Sequence, residues 1–202
     1  MKKGKIVAIV GIPGTGKTTL GNNLAKKFSV DFLEEDWKGI PFFAEARKRE
    51  PTSFEVCIGF LNLRYEQIQR AHQIVQTGKN VLIDTIFEMT NVYAKPTLDA
   101  LEYVEFKKVY DIYQASISKP DLYVHLTGDI QVIRQRALDR ALDIKNENTL
   151  LSLEVMQKSE HEIVDLLSSV DQASVITIDA VREDIRTDSY LENLYIDMLK
   201  LT

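Results

Sequence analysis

Short apolar runs alternate along the chain with longer stretches in which apolar residues recur every three or four positions. The runs are Lys5–Val10, Val30–Leu33, Asn80–Asp84, Asp121–Leu126 and Ser174–Ile178. They lack a strict in-out alternation, which suits strands buried on both faces. The helical period covers Thr18–Phe28, Pro51–Thr77, Thr90–Ser118, Asp129–Leu142, Leu150–Ser169 and Asp188–Leu201. Strands alternating with helices predict an α/β fold with a parallel sheet and right-handed crossovers. No repeat, low-complexity segment or Gly/Ser/Pro linker divides the chain, so residues 1–202 read as one domain.

Composition changes this picture little. Of 202 residues, 45% are apolar and 27% charged, an ordinary globular balance that allows one good core. The net charge of −5 argues against broad attraction to nucleic acid or an anionic membrane, so any polyanion must be met locally. Cys57 is the single cysteine, which rules out an internal disulfide and fits a reducing cytoplasm. The start, MKKGKIVAIVGIPG, mimics a signal peptide. However, Lys5 interrupts it, the apolar run is only Ile6–Val10, and no small-residue cleavage site follows. A buried strand is the better reading, and no stretch reaches membrane-span length.

The first run opens into GIPGTGKTTLGNNLAKKF. Gly11-x4-Gly16-Lys17-Thr18 matches the phosphate-binding loop pattern in full, with a strand before and a helix after. Gly11, Gly14 and Gly16 let the backbone turn its N–H groups inward as a nest for anionic oxygens. The following helix points its positive end at the same oxygens. Lys17 reaches the terminal phosphates, the Thr18 hydroxyl suits Mg²⁺, and Thr15 and Thr19 complete the loop. The expected cofactors are ATP and Mg²⁺.

Ligands of open α/β sheets sit beyond the carboxyl ends of the strands. The second run ends there in Glu34, Glu35 and Asp36, any of which could orient a hydroxyl and accept its proton. Spacing does not choose among the three. The third run ends in Asp84, a place suited to holding a metal ion or its water; a charge buried there without purpose would be costly. After the fourth run come Arg134, Arg136 and Arg140. On a helix the last two share a face, where they could close over phosphates or form surface ion pairs with Asp139 and Asp143. His72, His125 and His161 show no metal spacing and receive no role.

Beyond the phosphate loop, the order of segments resembles the deoxynucleoside kinases of the bacterial deoxyadenosine/deoxyguanosine kinase type, over most of the chain. Glu35 is followed six residues later by Pro41 in GIPFF. A long helix reads EPTSFEVCIGFLNLRYEQI, a strand ends NVLIDTI, and PDLYVHL and VITID follow. The resemblance implies a P-loop NTPase-type three-layer α/β/α fold with a five-stranded parallel sheet, a lid at about 134–147, and a helix-packed homodimer. It implies Glu35 as general base for a sugar 5′-hydroxyl and Asp84 as the Asp of an Asp-Arg-Ser motif. Arg64 becomes a base-reading arginine, and Arg136 and Arg140 become lid arginines.

The chain departs from that pattern in its nucleoside-reading positions. The Arg of Asp-Arg-Ser, by the resemblance a fixed positive charge beside the general base, is Thr85; a base-reading Gln falls at Cys57, a sugar-contacting Tyr at Arg47 or Lys48, and a third lid arginine at Leu142. Such losses change selectivity, because discrimination rests on buried polar partners. The expectation is an ATP-dependent kinase acting on the 5′-hydroxyl of a nucleoside-like small molecule. Two alternatives stand beside it. One is a kinase for a nucleoside monophosphate or other metabolite, with Arg47, Lys48 and Arg49 as extra cations. The other is an ATP-binding subunit without transferase activity.

Overall fold

The computed structural model describes residues 3–36, 45, 53–140 and 151–201. Pro41, Arg47, Lys48, Arg49, Leu142, Asp143 and the expected lid beyond Arg140 lie outside the described residues. In chain order the elements are β1 (Ile6–Val10), α1 (Lys17–Phe28), β2 (Asp31–Leu33), α2 (Phe54–Gln76), β3 (Val81–Ile83), α3 (Met89–Thr97) and α4 (Ala100–Gln114). Then follow β4 (Leu122–Thr127), α5 (Ile130–Arg140), α6 (Leu153–Ser168), β5 (Val175–Asp179) and α7 (Asp188–Leu201). The strands make a five-stranded sheet in the order β2-β3-β1-β4-β5. Every neighbouring pair is parallel, as the alternation of strands and helices predicts.

The inner strands are apolar apart from His125 and Thr127 of β4, because both of their faces are covered. Ile6, Ala8 and Val10 of β1 pack with Ile68, Ala71 and Val75 of α2, Val92 of α3 and Ile163 of α6. Val7 and Ile9 pack on the other side with Leu20 and Leu24 of α1 and Leu191, Leu194 and Met198 of α7. This is the three-layer arrangement. A third cluster, Cys57, Leu61, Phe87, Ala94, Phe106 and Tyr110, joins α2, α3 and α4 away from the sheet.

Two expectations need correction. The stretch Thr90–Ser118 is two helices. Pro96 lies inside α3 and removes one hydrogen bond from its last turn; the helix ends at Thr97, where extended Leu98 closes it by donating its N–H to Ala94 O. Asp99 then opens α4 with a capping box: its carboxylate accepts from Leu101 N (2.8 Å) and Glu102 N (2.9 Å), and Glu102 reaches back to Asp99 N. The second correction concerns Val30–Leu33. It supplies β2, an edge strand of three residues with Asp31 exposed, rather than a strand buried on both faces, and Ser174–Ile178 likewise supplies β5 at the other edge, with Thr177 exposed.

Register positions the site. Leu33 pairs with Ile83, and Ile83 pairs with Ala8. The carboxyl ends of β2, β3 and β1 therefore deliver Glu35, Asp84 and Gly11 to one edge of the sheet.

Candidate active site

Between β1 and α1 the chain turns through the phosphate loop. Gly14 has φ 93°, and a Cβ there would sit 2.3 Å from the carbonyl oxygen of Ile133, because α5 passes directly over the loop. Gly16, at φ 98°, opens α1, and no side chain caps the first N–H groups of that helix. Those donors face the place an anion would occupy. Thr15 is fully buried and its hydroxyl donates to Ile12 O (2.9 Å), so it shapes the loop. Thr19 is half-buried on the first turn of α1. The Lys17 ammonium donates to the carbonyls of Gly11 (2.8 Å) and Ile12 (3.1 Å). Desolvation lowers its pKa to about 8, against the opposing pull of Asp84 and Glu35.

The carboxylates form one network. Asp84 is 4% exposed; its Oδ2 accepts from the Thr18 hydroxyl (3.0 Å) and its Oδ1 from the backbone N–H of Glu35 (2.9 Å). Burial, and then the charge of Glu35, push the Asp84 carboxyl above its usual range. Of the three acids after β2, Glu34 and Asp36 are exposed and Glu35 is half-buried. Glu35 Oε1 accepts from Arg64 Nε at 2.6 Å. Arg64, 5% exposed, also donates from NH1 to Thr90 Oγ1 (3.1 Å) and lies against the rings of Phe60 (4.9 Å) and Tyr93 (5.8 Å). Loop, Lys17, Thr18, Asp84, Glu35 and Arg64 thus converge.

The arginines of α5 do not converge in the same way. Arg134 donates to Leu151 O (2.7 Å) and Arg136 to Ala180 O (2.9 Å), so both hold backbone beside the loop. Arg140 is exposed at the end of α5, and its charge acts on Lys17. Cys57 lies two turns before Arg64 on α2. It is 6% exposed among apolar neighbours, with its thiol pushed up to about 11 by burial.

Several site residues escape sequence reasoning. Gln67 donates to Leu33 O (2.7 Å) and so fixes the end of β2 from α2. Phe60, Arg64 and Gln67 stand at i, i+4 and i+7, a spacing that marks one helix face and could have flagged both neighbours of Arg64. On the other side of the loop, Glu160 of α6 accepts from the Thr127 hydroxyl (2.7 Å), and His125 Nε2 lies 3.2 Å from the same carboxylate oxygen. Burial pushes the Glu160 carboxyl up, but His125 and Thr127 outweigh it and leave Glu160 below the usual range. No local pattern announces that contact between elements far apart in the chain.

The deoxynucleoside kinase family model matches residues 7–199. The chain belongs to the deoxynucleoside kinase family. It is 23% identical over 187 residues to deoxyguanosine kinase of Bacillus subtilis, covering 91% of this chain and 90% of that one. It is 26% identical over 152 residues to the deoxyadenosine/deoxycytidine kinase of the same organism, covering 71% and 69%. The fold matches deoxyadenosine kinase from M. mycoides with products dCMP and dCDP bound. There the TM-score is 0.72 and the identity 19%, over 96% of this chain and 99% of that one. The same enzyme with bound dATP matches with a TM-score of 0.71 at 18% identity, over 97% and 99%. This deoxynucleoside kinase family member is a nucleoside-phosphorylating enzyme of P-loop NTPase-like α/β fold. Among the described residues no helix is long and apolar enough to cross a membrane.

Proposed function

We propose that this kinase transfers the γ-phosphoryl group of ATP to the 5′-hydroxyl of a deoxynucleoside. The observation that carries this reading is the network at one sheet edge. A half-buried carboxylate, Glu35, is tied through its own backbone to Asp84, and Asp84 is tied to Thr18 of the phosphate loop. The residues fit both expected cofactors. The uncapped N–H groups at the start of α1 suit a polyphosphate, and the Thr18 hydroxyl beside the Asp84 carboxylate offers hard oxygen donors for Mg²⁺. Bound there, Mg²⁺ would neutralise charge on the phosphates.

In this reading the loop N–H groups and Lys17 hold the β- and γ-phosphates. Asp84 orients Thr18 and the backbone of Glu35. Glu35 accepts the hydrogen of the acceptor hydroxyl and steers its oxygen in line with the γ-phosphorus. Arg140, within the expected lid segment, adds positive charge as the phosphates transfer. Catalysis is then positioning and charge neutralisation.

The test is ADP release with Mg-ATP across a panel of deoxynucleosides, ribonucleosides and their monophosphates. Stimulation by one or more nucleosides is expected. Release stimulated only by monophosphates, or by nothing in the panel, would overturn the acceptor assignment. Glu35→Gln is expected to keep ATP binding and lose turnover by about 10²–10⁴-fold, and Lys17→Ala to abolish transfer. A wild-type rate in Glu35→Gln would move the hydroxyl-orienting role elsewhere.

The enzyme is further proposed to be a cytoplasmic homodimer. Leu101, Val104 and Ile112 form an apolar stripe on the outer face of α4, 80%, 52% and 70% exposed, and a second copy would cover it. Sedimentation is expected to show a dimer for the wild type and a monomer for Leu101→Glu/Ile112→Glu. A wild-type monomer would refute the pairing.

A further inference from the structure

The resemblance hands the cation beside the general base to an Asp-Arg-Ser arginine and gives Arg64 to the nucleobase. The structure divides these tasks differently. After Asp84 the chain carries Thr85, which is 4% exposed and has its hydroxyl against its neighbour's carbonyl, Ile86 O, at 3.4 Å. No cation reaches Glu35 from β3. Instead Arg64 arrives from α2, on the opposite wall, with its Nε 2.6 Å from Glu35 Oε1.

Arg64 is built for that task. A guanidinium presents its donors in a rigid plane, so fixing one edge fixes the rest. Here NH1 is held by Thr90 Oγ1, and the rings of Phe60 and Tyr93 lie against the guanidinium. Burying such a charge is costly unless a counter-charge meets it, and Glu35 is that counter-charge. The Nε–H is the donor with the least freedom, because the side-chain stem fixes its direction. It is committed to Glu35 and withdrawn from any ligand. Meanwhile Gln67, one turn further along α2, pins Leu33 O, so both the side chain and the strand end that carry Glu35 are set from the same helix.

We propose that Arg64 is the positioning residue of the general base, replacing from α2 the cation that Thr85 does not supply from β3. The inference rests on the reading of Glu35 as the group that orients the acceptor hydroxyl. On this view the loss of arginine at position 85 leaves phosphoryl transfer intact, and Arg64 is set by Glu35 before any nucleobase arrives.

The test is steady-state kinetics on Arg64→Ala, Arg64→Lys and the double variant Arg64→Ala/Thr85→Arg, with purine and pyrimidine deoxynucleosides and a parallel measurement of ATP binding. Arg64→Ala is expected to lower kcat by about 10²-fold, the size of a positioning loss, and by the same factor for every accepted base. The ranking of KM among bases and the ATP affinity should stay put. Arg64→Lys keeps the charge but loses the fork, so kcat should fall without a change in base ranking. That variant serves if Arg64→Ala does not fold. Recovery of part of the lost kcat in the double variant would strengthen the case further. A change confined to KM for one base, with kcat unmoved, would overturn the proposal and return Arg64 to base reading. If Glu35→Gln itself keeps a wild-type rate, the underlying role of Glu35 has failed. If Glu35→Gln is inactive while Arg64→Ala and Arg64→Lys keep kcat, only the positioning role has failed.

Discussion

With the Lys17 ammonium folded onto the Gly11 and Ile12 carbonyls, desolvation holds its pKa near 8. Phosphate oxygens would supply the counter-charge that the carbonyls lack, so binding raises that pKa and selects the protonated lysine. The sign of the pH dependence follows. Below pH 8 the proton is already in place, and affinity is flat as far as Lys17 is concerned. Above it, binding must draw a proton from solvent, and affinity falls by up to about tenfold per pH unit until the bound-state pKa is reached. Calorimetric titration with ATP in buffers of different ionisation enthalpy should show proton uptake above pH 8 and almost none near pH 6.5. Affinity and uptake that stay flat from pH 7 to 9.5 would mean that Lys17 does not meet the phosphates. At the same scale, spacing alone does not choose among Glu34, Glu35 and Asp36, and only the family resemblance singles out Glu35. Their exposures differ because Asp84 and Arg64, remote in the chain, take hold of Glu35 alone.

At the scale of elements, the phosphate loop and α5 constrain one another. Gly14 is a glycine for two reasons: its φ of 93° is strained for any other residue, and the backbone of Ile133 leaves no room for a Cβ. Gly14→Ala must push α5 off the loop or flatten the turn. Either change should weaken ATP binding by about tenfold or more, and relaxation of the loop should cost about 1–3 kcal/mol of stability. Wild-type ATP affinity and an unchanged melting temperature in that variant would show that the loop and α5 are not in register-level contact. Elements were largely legible because each depends on local pattern. The loop has its glycine spacing, and the strands have their apolar runs. Even the break between α3 and α4 is written in Pro96 and in the Asp99–Glu102 capping box, although the unbroken apolar period across them hides it. What local pattern could not supply is pairing between elements: Gln67 on Leu33 O, Glu160 beside His125 and Thr127, and Arg136 on Ala180 O all depend on the finished fold.

For the molecule as a whole, the site edge is a place where function works against stability. The Asp84 carboxyl titrates above its usual range because it is buried and then because Glu35 is near. Attraction to Lys17 and the hydrogen bonds from Thr18 and Glu35 N are already included in that balance and do not reverse it. A carboxyl whose pKa is raised by folding is bound to its proton more tightly in the native state than in the unfolded chain. Its contribution is therefore most favourable below the unfolded pKa and is lost as pH rises through the native one. Wherever it is ionised, Asp84 costs stability. Asp84→Asn removes that charge while keeping the hydrogen bonds, since the amide oxygen can accept from Glu35 N and the amide NH₂ can donate to Thr18 Oγ1. The variant is expected to be more stable than wild type at pH 7.5 by about 0.5–2 kcal/mol. That is a rise of about 2–4 °C in melting temperature per kcal/mol for a chain of this size. The gain should shrink as pH falls through the raised native pKa of Asp84 and wild-type Asp84 takes up its own proton. Turnover should be lost, together with the extra thermal stabilisation that the proposed Mg-ATP binding would give the wild type. Scanning calorimetry at both pH values, with and without Mg-ATP, reads all of these. A lower melting temperature for Asp84→Asn at pH 7.5 would mean that its charge holds Lys17 and the loop together, and that the edge is stabilised by the network rather than strained by it.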